Sequence, residues 1–521
     1  MFNSIMEIDA MQYASISREL LRTDNFLFLF DNGEPYLDKP PLIFWVTSFF
    51  FKIFGVSNFT YRLPSFLFSL MTIYSTYKLS NIFYSKRISI IASLILSSTL
   101  TLTIINGDVR TDIYMIGPMM LAFWKLIEYF QFKNISSLVI GSISLGFSMM
   151  GKGPLGLIIP VIVIGINLIY KKELYKLLDK NIIIGLLFLL LTLMPMSIGL
   201  YNQFGFHGIK FFYWTQSFGR ITGESNWSNN TGPFYLLNVF LYSFLPWTFV
   251  FAMAFLEKTK ILFSKNKTQN KEVIFYIGFI FPLIILSLSN YKLPHYIYSI
   301  VPFASILTAK RIESWSKSKS LKKVYFFQIF LNLILVITSF LVVINFMPQS
   351  NYFFFFPIAV VFIFLIFNKF SKESLHRFFI PSIASSIILS YFINLGILKP
   401  ILAYQSQSNA AEYLNENFDK NIKIVFFKEN EKAKSRSFNY YLDLNTTYAG
   451  TEDFHEKVKN NNVFIFTHEE GFQELLANYS NIKLLKTFEH FRVSKVNKKF
   501  INYKTRESTL QKKYLLQMNN T

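Results

Sequence analysis

The sequence predicts a polytopic α-helical membrane protein of about twelve spans, followed by a small α/β domain. Of its 521 residues, 52% are hydrophobic and only 16% are charged, whereas an ordinary soluble domain has about 25% charged residues. Apolar stretches recur through the first 400 residues, close to the roughly 20 residues that a spanning helix needs. From about residue 405 the composition becomes mixed, and this change predicts a separate folding unit.

The predicted spans are apolar runs separated by short polar or basic loops. Those near 135–170 and 295–309 are the shortest and resemble half-spans or re-entrant segments. A further helix is expected before the first outer segment, because no span precedes a stretch that we predict to lie outside. The predicted spans are 62–84, 88–105, 113–131, 135–150, 154–170, 181–202, 234–256, 272–289, 295–309, 324–346, 352–368 and 378–399.

Lysine and arginine concentrate in the loops on one side of these spans, as in SKR at 85–87, KKELYKLLDK at 171–180 and KRIESWSKSKSLKK at 310–323. An excess of positive charge marks the cytoplasmic side of a membrane protein. The net charge of +21 therefore reflects membrane orientation and does not indicate nucleic acid binding. The segments with unusual polar chemistry fall on the opposite, outer side.

Some classes of chemistry are excluded by composition. The chain contains no cysteine, which excludes disulfides, thiolate zinc sites and cysteine nucleophiles. The sequence also has no Walker loop, no dinucleotide-binding glycine pattern and no internal repeat.

The C-terminal segment alternates between helix and strand patterns. NAAEYLNENF and EEGFQELLANY are typical of helices, IKIVFF and NVFIF of strands, and IKLLKTFEHFRVSKV predicts one or two further strands. Such alternation predicts an α/β unit. We therefore divide the chain into a membrane part, 1–403, and an outward-facing α/β domain, 404–521, whose last stretch from about 500 is predicted to be polar and frayed.

An amphipathic helix is predicted in the first outer segment, EIDAMQYASISREL, where apolar residues recur at helical spacing. We expect this helix to lie at the membrane interface. Asp9 would stand at its start, and two interpretations remain open for it. The residue is either a solvated N-cap or a functional carboxylate close to the membrane surface.

Three lysines on the outer side each stand shortly before a proline: Lys39 in YLDKPPLIFW, Lys152 in MMGKGPLG and Lys292 in SNYKLPHYI. Pro40 and Pro41 restrict the backbone to an extended course, which would hold the first of these lysines in place. The alternative is a snorkelling anchor at the interface. Three such cations on one side predict a phosphate-binding ring around a cavity.

Further charged residues on the outer side are predicted to support this site. NGDVRTD places Asp108, Arg110 and Asp112 close together. Asp112 falls at the start of a span, where charge is costly and usually functional. Asp38 and His295 each lie beside one of the predicted phosphate-binding segments.

A long outer loop, FHGIKFFYWTQSFGRITGESNWSNNTGPFYLL, is rich in aromatic residues, Gly, Ser and Asn. Long loops in such positions are often substrate lids. Arg220 is its best candidate for binding an anion. Trp214 and Trp227 either stack on sugar rings or belong to an interfacial aromatic belt.

Taken in order, these segments resemble the polyprenyl-phosphate-sugar-dependent glycosyltransferases of the GT-C superfamily. The resemblance is to the group of protein O-mannosyltransferases and lipid A aminoarabinose transferases. It covers about residues 7–310 and extends to the rest of the chain only in general plan. The matching segments are DAMQYASISREL, YLDKPPLIFWVTSFFFKIFGVSNFTYRLPS, VRTD, GKGPLGLIIP, FGRITGESNWSNNTGPFYLL and YKLPHYI.

The resemblance implies an inverting membrane glycosyltransferase that takes a sugar from a polyprenyl-phosphate donor. The acceptor would be a lipid, either lipid A or another glycolipid, or a protein. The implied location is the bacterial plasma membrane, with the site and the C-terminal domain facing the periplasm or outside. The implied partners are the bilayer, the lipid-linked sugar and the acceptor, without nucleic acid. No cofactor is identified, and a divalent metal is left as a candidate.

The resemblance also assigns roles residue by residue. Asp9 matches the catalytic acid of the first outer loop, Lys39 and Lys152 match two lysines of the family, and Asp112 matches the acid of the second loop. Ala10 stands where the family usually has a second carboxylate, which weakens any role that needs two adjacent acids, including metal binding by such a pair. Held cations stabilise the charge that develops on a leaving phosphate, and a carboxylate can take the proton of an acceptor hydroxyl.

We therefore predict Asp9 as the catalytic base, and Lys39, Lys152 and Arg220 as ligands of the donor phosphate. A transporter or flippase of lipid-linked sugars is the alternative, and it would need functional polar residues near the membrane centre and on both faces. A non-catalytic scaffold that displays the C-terminal domain is a third hypothesis. The predicted supporting residues are Asp38, Asp108, Arg110, Asp112, Lys292 and His295.

Overall fold

The computed structural model is mainly helical, and its strands form a short hairpin near the N-terminus and a sheet near the C-terminus. The residues that the structure describes are 2–216, 219, 229, 231–262, 273–316, 320–346, 351–371, 374–418, 422–429, 435–444, 446–458 and 463–518.

The part before the C-terminal sheet is a succession of helices, interrupted early by a two-stranded hairpin. The hairpin strands are β1 (Phe30–Asp31) and β2 (Glu34–Pro35). The helices are α1 (Asp9–Thr23), α2 (Leu42–Phe54), α3 (Asn58–Phe83), α4 (Lys86–Ser97), α5 (Leu100–Gly107), α6 (Thr111–Phe132), α7 (Ile135–Lys152), α8 (Leu155–Tyr170), α9 (Ile182–Lys210), α10 (Tyr235–Ser243), α11 (Thr248–Leu262), α12 (Val273–Ser287), α13 (Val301–Ser316), α14 (Ser320–Phe346), α15 (Phe355–Phe370), α16 (Ser374–Tyr391) and α17 (Lys399–Leu402).

Five helical segments among the described residues are long and apolar enough to cross a membrane, and a sixth results if α4 and α5, which meet at a bend of 50°, count as one span. This supports the prediction of a polytopic helical membrane protein. The number of about twelve spans stays a prediction. The five segments are Ile135–Lys152, Ile182–Thr215, Val324–Phe346, Tyr352–Phe370 and Arg377–Leu402.

Two of the predicted spans are not continuous α-helices. The prediction of one continuous helix at 234–256 is wrong, because α10 ends at Ser243 and α11 begins at Thr248, with Pro246 between them. A proline has no amide hydrogen for the helical bond and displaces the preceding turn. The span predicted at 295–309 likewise begins as a 3₁₀ turn, Pro294–Ser299, before α13 starts.

The predicted N-terminal helix is confirmed as α1, but its polar side is covered by protein. It packs against α2 and against a C-terminal helix, Arg436–Leu442. The buried Glu19 carboxylate accepts the backbone N–H groups of Asn32 at 2.9 Å and Gly33 at 2.8 Å. These two residues form the hairpin turn with φ of 57° and 80°, the geometry for which Asn-Gly is favoured. The hairpin is thereby fixed to α1, and the chain leaves it directly towards Asp38.

The C-terminal part contains a five-stranded mixed sheet in the order β4-β3-β5-β7-β6. The first three strands in this order are parallel, and β7 is antiparallel to both of its neighbours. Apolar clusters cover both faces of the sheet. The strands are β3 (Lys423–Phe427), β4 (Thr447–Ala449), β5 (Val463–His468), β6 (Ile482–His490) and β7 (Gln511–Met518), and the helices are α18 (Ser406–Asn417), α19 (Arg436–Leu442), α20 (Phe454–Val458), α21 (Glu469–Asn478) and α22 (Lys498–Ile501).

The prediction of a frayed C-terminal end is wrong, since β7 lies inside the sheet. Tyr514, Leu515, Leu516 and Met518 are buried, and β7 pairs along its length with both β5 and β6. Polar residues flank this short apolar run on both sides and conceal it in the sequence.

Polar contacts join the C-terminal part of the chain to the start of α1 and to the hairpin. Arg436 donates to the Asp31 carboxylate at 2.8 Å, and the Glu7 backbone N–H donates to the Gln405 side chain at 2.6 Å. These contacts fix the start of α1 from the C-terminal side. The domain boundary at 403/404 stays a prediction.

Candidate active site

Most of the predicted site residues line one cavity of about 160 Å³, formed by α1, the segment after the hairpin and the ends of α6, α7 and α12. The fold brings together residues that are up to a few hundred positions apart in the sequence. Seven of the ten predicted residues line this cavity: Asp9, Asp38, Lys39, Arg110, Asp112, Lys152 and His295.

Asp9 is the first residue of α1, and the N-cap position belongs to Ile8. The N-cap interpretation of Asp9 is therefore wrong. Its Oδ2 atom accepts a hydrogen bond from Nη1 of Arg110, and its side chain is 48% exposed. The carboxylate is thus held by a cation and still open to a second reactant.

Arg110 is itself held by Asp108, which lies behind it. Arg110 donates to Oδ2 of Asp108 from Nε at 2.8 Å and contacts the same oxygen from Nη2 at 2.6 Å. Burial raises the pKa of Asp108, and the guanidinium opposes this shift. Asp108 does not line the cavity, so its part is to orient the arginine that meets Asp9.

Arg62 is a functional candidate that the sequence analysis missed. It is only 3% exposed, and it donates to the carbonyl oxygens of Asn3 at 2.7 Å, Ser4 at 2.9 Å and Gly107 at 3.3 Å. It therefore joins the segment before Asp9 to the loop that carries the arginine partner. A charged residue at the start of a predicted span is the signal that could have identified it.

Lys152 and Asp112 form a buried ion pair in the floor of the cavity. Lys152 Nζ contacts Asp112 Oδ1, and their side chains are 14% and 2% exposed. The ammonium also lies 4.3 Å from the ring centre of Tyr296, a favourable cation–π distance. Nε2 of His295 lies 3.6 Å from the other oxygen of Asp112, so two other segments converge on this carboxylate.

Two glycines explain how Lys152 reaches its partner. A Cβ atom at Gly151 would lie 2.6 Å from the backbone of Tyr114, so only glycine lets α7 approach α6 this closely. Gly153 ends α7 with a φ of 91°, which glycine adopts without steric cost. The GKGP segment thus places an ammonium at a helix end against the first turn of α6.

The Asp38–Lys39 pair lies at the rim of the cavity. Lys39 Nζ lies 2.6 Å from Oδ2 of Asp38, and the two side chains are 25% and 40% exposed. The Gln216 side-chain amide, which the sequence analysis did not single out, donates to the carbonyl oxygen of Asp38. The lysine therefore lines the cavity from a backbone that Gln216 holds on one side.

Among the described residues, two predicted ones, Lys292 and Asp108, do not line this cavity. Lys292 is buried elsewhere, where Nζ donates to the carbonyl oxygen of Thr231 at 3.2 Å. A lysine before a proline does not by itself specify which way the side chain points. Asp108 lies behind the cavity wall as described above. Arg220, like Trp227, lies outside the described residues.

The lining charges of the cavity are balanced. Three carboxylates and three cations line it, and each of these cations contacts a carboxylate. The cations are thus held in place before any substrate binds, as electrostatic stabilisation of a leaving anion requires. Within the described ranges, no group of three or more His, Asp or Glu side chains is placed to hold a metal ion.

The site combines membrane helices, a half-exposed carboxylate and cations that carboxylates hold in place. Comparison with known proteins indicates the class of protein that the sequence resemblance predicts. The family model of dolichyl-phosphate-mannose-protein mannosyltransferases matches residues 38–198, a segment that contains Lys39 and the Asp112–Lys152 pair.

Two curated relatives are undecaprenyl phosphate-alpha-4-amino-4-deoxy-L-arabinose arabinosyl transferases. The one from Wigglesworthia glossinidia brevipalpis is 29% identical over 337 residues, which cover 62% of this chain and 58% of the relative. The one from Proteus mirabilis is 24% identical over 310 residues, which cover 58% and 54%. The chain therefore spans a little more than half the length of these relatives.

The fold is also similar to a solved structure, ArnT from Cupriavidus metallidurans bound to undecaprenyl phosphate. The TM-score is 0.75 at 16% identity, with 99% of this chain and 94% of that chain covered. Together these comparisons confirm the resemblance to the polyprenyl-phosphate-sugar-dependent glycosyltransferases of the GT-C superfamily.

Proposed function

We propose that this protein is a membrane glycosyltransferase that moves a sugar from a polyprenyl-phosphate donor to a hydroxyl group of a glycolipid, with lipid A as the first candidate. The observation that carries the proposal is the single cavity shared by Asp9, Lys39 and Lys152. The relatives' names and the undecaprenyl phosphate bound by the solved structure support the donor class. A protein acceptor is the alternative within the same reaction.

The proposed reaction is a direct displacement with inversion at the anomeric carbon. The acceptor oxygen forms the new bond to this carbon while the bond to the donor phosphate oxygen breaks. The acceptor proton passes to the free oxygen of Asp9, and the polyprenyl phosphate leaves as an anion. Lys39 and Lys152 stabilise that anion, and Arg220 is the third proposed phosphate ligand. Arg110 keeps the Asp9 carboxylate oriented.

We further propose about twelve spans in a bacterial plasma membrane, with the cavity and the domain 404–521 facing the periplasm. Reporter fusions provide the test. A fusion at Lys176, in a basic loop, should report the cytoplasm, and a fusion at Glu452, in the C-terminal part, should report the periplasm. A cytoplasmic signal at Glu452 would contradict the proposed count of spans.

The decisive experiment uses the purified full chain in lipid nanodiscs. Undecaprenyl phosphate carrying labelled 4-amino-4-deoxy-L-arabinose is supplied with lipid A, and in parallel with a hydroxyl-bearing peptide. Labelled lipid A, absent with the Asp9→Asn variant, would support the proposal, and labelled peptide would favour the protein acceptor. Movement of intact donor between leaflets without transfer would instead support a flippase. Adding a chelator to the same assay tests the divalent metal candidate.

A further inference from the structure

A second cavity, of about 430 Å³, lies between the start of α1 and the C-terminal sheet. Its wall is contributed by α1, by α18 and α19, by β5, β6 and β7, and by the turn after β6. Ten of its fourteen lining residues are polar or charged: Glu7, Ser406, Gln407, Glu429, Arg436, Ser437, His490, Arg492, Ser494 and Lys513.

The first turn of α1 separates this cavity from the candidate active site. Asp9 and Tyr13, four residues apart and so on one face of the helix, line the first cavity. Ile8 and Met11 line the second. The two cavities therefore lie against different sides of the same helical turn, whose pitch is roughly 5 Å. The Asp9 carboxylate between them is half exposed.

The polar groups of the second cavity are held in place by hydrogen bonds with one another. Ser437 donates to Oε1 of Glu7 at 3.1 Å, and Ser406 Oγ lies 2.9 Å from Nδ1 of His490. Burial raises the pKa of Glu7. Gln407 also lines the wall, and its side-chain amide has no hydrogen bond within the described part of the chain, so it is available to a ligand.

The cations of this cavity differ in their pairing. Arg436 contacts a carboxylate of the hairpin, and Lys513 contacts a carboxylate at the end of β3. Arg492 is exposed, and its hydrogen bond within the described residues is a long one of 3.4 Å to Ser494. No carboxylate in the described ranges pairs with it. Arg492 is therefore the cation that is most readily available to an anion.

We propose that this second cavity binds the carbohydrate headgroup of the acceptor, with Arg492 contacting an anionic substituent such as a phosphate. This inference rests on the proposed function and deepens it. A sugar presents hydroxyl groups around its ring, which suit a wall of hydroxyl, amide and charged side chains with the apolar Phe466 and Val493 between them. Peptides are commonly bound through an apolar groove or as a strand added to a sheet edge, whereas ten of the fourteen lining residues here are polar or charged.

The test measures binding separately from transfer. The probe is a phosphorylated glucosamine disaccharide without acyl chains, titrated against the full chain in nanodiscs by calorimetry. Arg492→Ala should raise the Kd by about tenfold, the effect of one charge-assisted hydrogen bond. Gln407→Ala should raise it several-fold. Lys495→Ala is the matched control, since Lys495 is exposed three residues from Arg492 and does not line the cavity.

The outcomes distinguish this inference from the proposed function. Asp9→Asn should bind the disaccharide as the wild type does and fail only in transfer, which would support both. Disaccharide binding that is unchanged in both Arg492→Ala and Gln407→Ala, while the wild type still transfers sugar to lipid A, would overturn the cavity assignment alone. Variant-sensitive binding without any transfer would leave the cavity and overturn the proposed function. Tight binding of a hydroxyl-bearing peptide in place of the disaccharide would overturn the assignment to carbohydrate.

Discussion

Two lysine–aspartate pairs line the same cavity and are held in opposite ways. Lys152 and Asp112 are 40 residues apart in sequence and are nearly buried, whereas Lys39 and Asp38 are neighbours and are 25% and 40% exposed. The first pair requires the packing of α7 on α6, and the second requires only a local turn. Removing one partner is therefore expected to affect stability and activity differently in the two pairs.

The difference follows from solvation. Removing one partner of a buried pair leaves a charge without compensation in a poorly solvated place, so stability and activity fall together. An exposed pair contributes little to stability, so a loss of activity there reports on function. The rim pair is thus the better probe of phosphate binding, and the floor pair is the better probe of how the cavity is built.

The largest effect is expected from Asp112→Ala, which leaves the Lys152 ammonium buried without its carboxylate. We expect a loss of about 3–5 kcal/mol in the free energy of unfolding, measured as a lower unfolding temperature in detergent, together with loss of transfer. The double variant Asp112→Ala, Lys152→Met serves as the control. It should recover most of the stability and none of the activity. If Asp112→Ala is as stable as the wild type, the Lys152–Asp112 pair is solvated, and the contrast between the two pairs is wrong.

Asp9→Asn should reduce transfer by about 10²–10⁴-fold with little change in unfolding temperature. The carboxylate is half exposed, and its partner Arg110 keeps the contact with Asp108. Initial rates at saturating donor are compared with those of Asp24→Asn, an exposed aspartate at the other end of α1. Wild-type turnover would remove Asp9 from the mechanism. A loss well below this range would favour an acceptor that is already ionised, such as a phosphate.

The sequence predicted which residues line this cavity better than it predicted which of them form ion pairs. Asp112 and Lys152 were identified because charge beside apolar runs is costly, which is a local signal, and Asp9 was identified through the family resemblance. Their contacts depend on helix packing, which local pattern does not specify. The same pattern placed Lys292 in the ring, although its side chain is directed at Thr231.

The fold shows the same division between local and non-local signals. Long helices and the hydrophobic strands β3 and β5 have clear patterns, and the structure contains them. Strand β7 was missed because its apolar run of a few residues lies between polar flanks, and only its two partner strands define it. The charge of Arg62 at the start of a predicted span was visible in the sequence, but its partners were not, because its hydrogen-bond acceptors are backbone carbonyls of other segments.

Lys39→Ala should lower transfer efficiency by about ten- to a hundredfold, the equivalent of one charge-assisted hydrogen bond of roughly 1.5–3 kcal/mol. The cost in stability should stay below about 1 kcal/mol, because the pair is partly exposed and water screens it. Lys39→Arg should restore activity only in part, since the planar guanidinium differs in shape from a point charge. Initial rates against donor concentration provide the measurement. If both variants match the wild type at low donor, the snorkelling interpretation holds and Lys39 is not a phosphate ligand.

The smallest effect is expected at His490, a partly buried group without a carboxylate partner in the described residues. Burial, aided by the nearby Lys513, lowers its pKa to about 4, whereas an unfolded histidine titrates near 6.5. The unfolded chain therefore binds a proton that the folded chain does not, and stability falls as the pH drops from about 6.5 towards 4. His490→Gln removes this titration, so its unfolding temperature should fall less than that of the wild type between about pH 7 and pH 5. Parallel curves for the two proteins would show that His490 is solvated, and would place the second cavity in open contact with water.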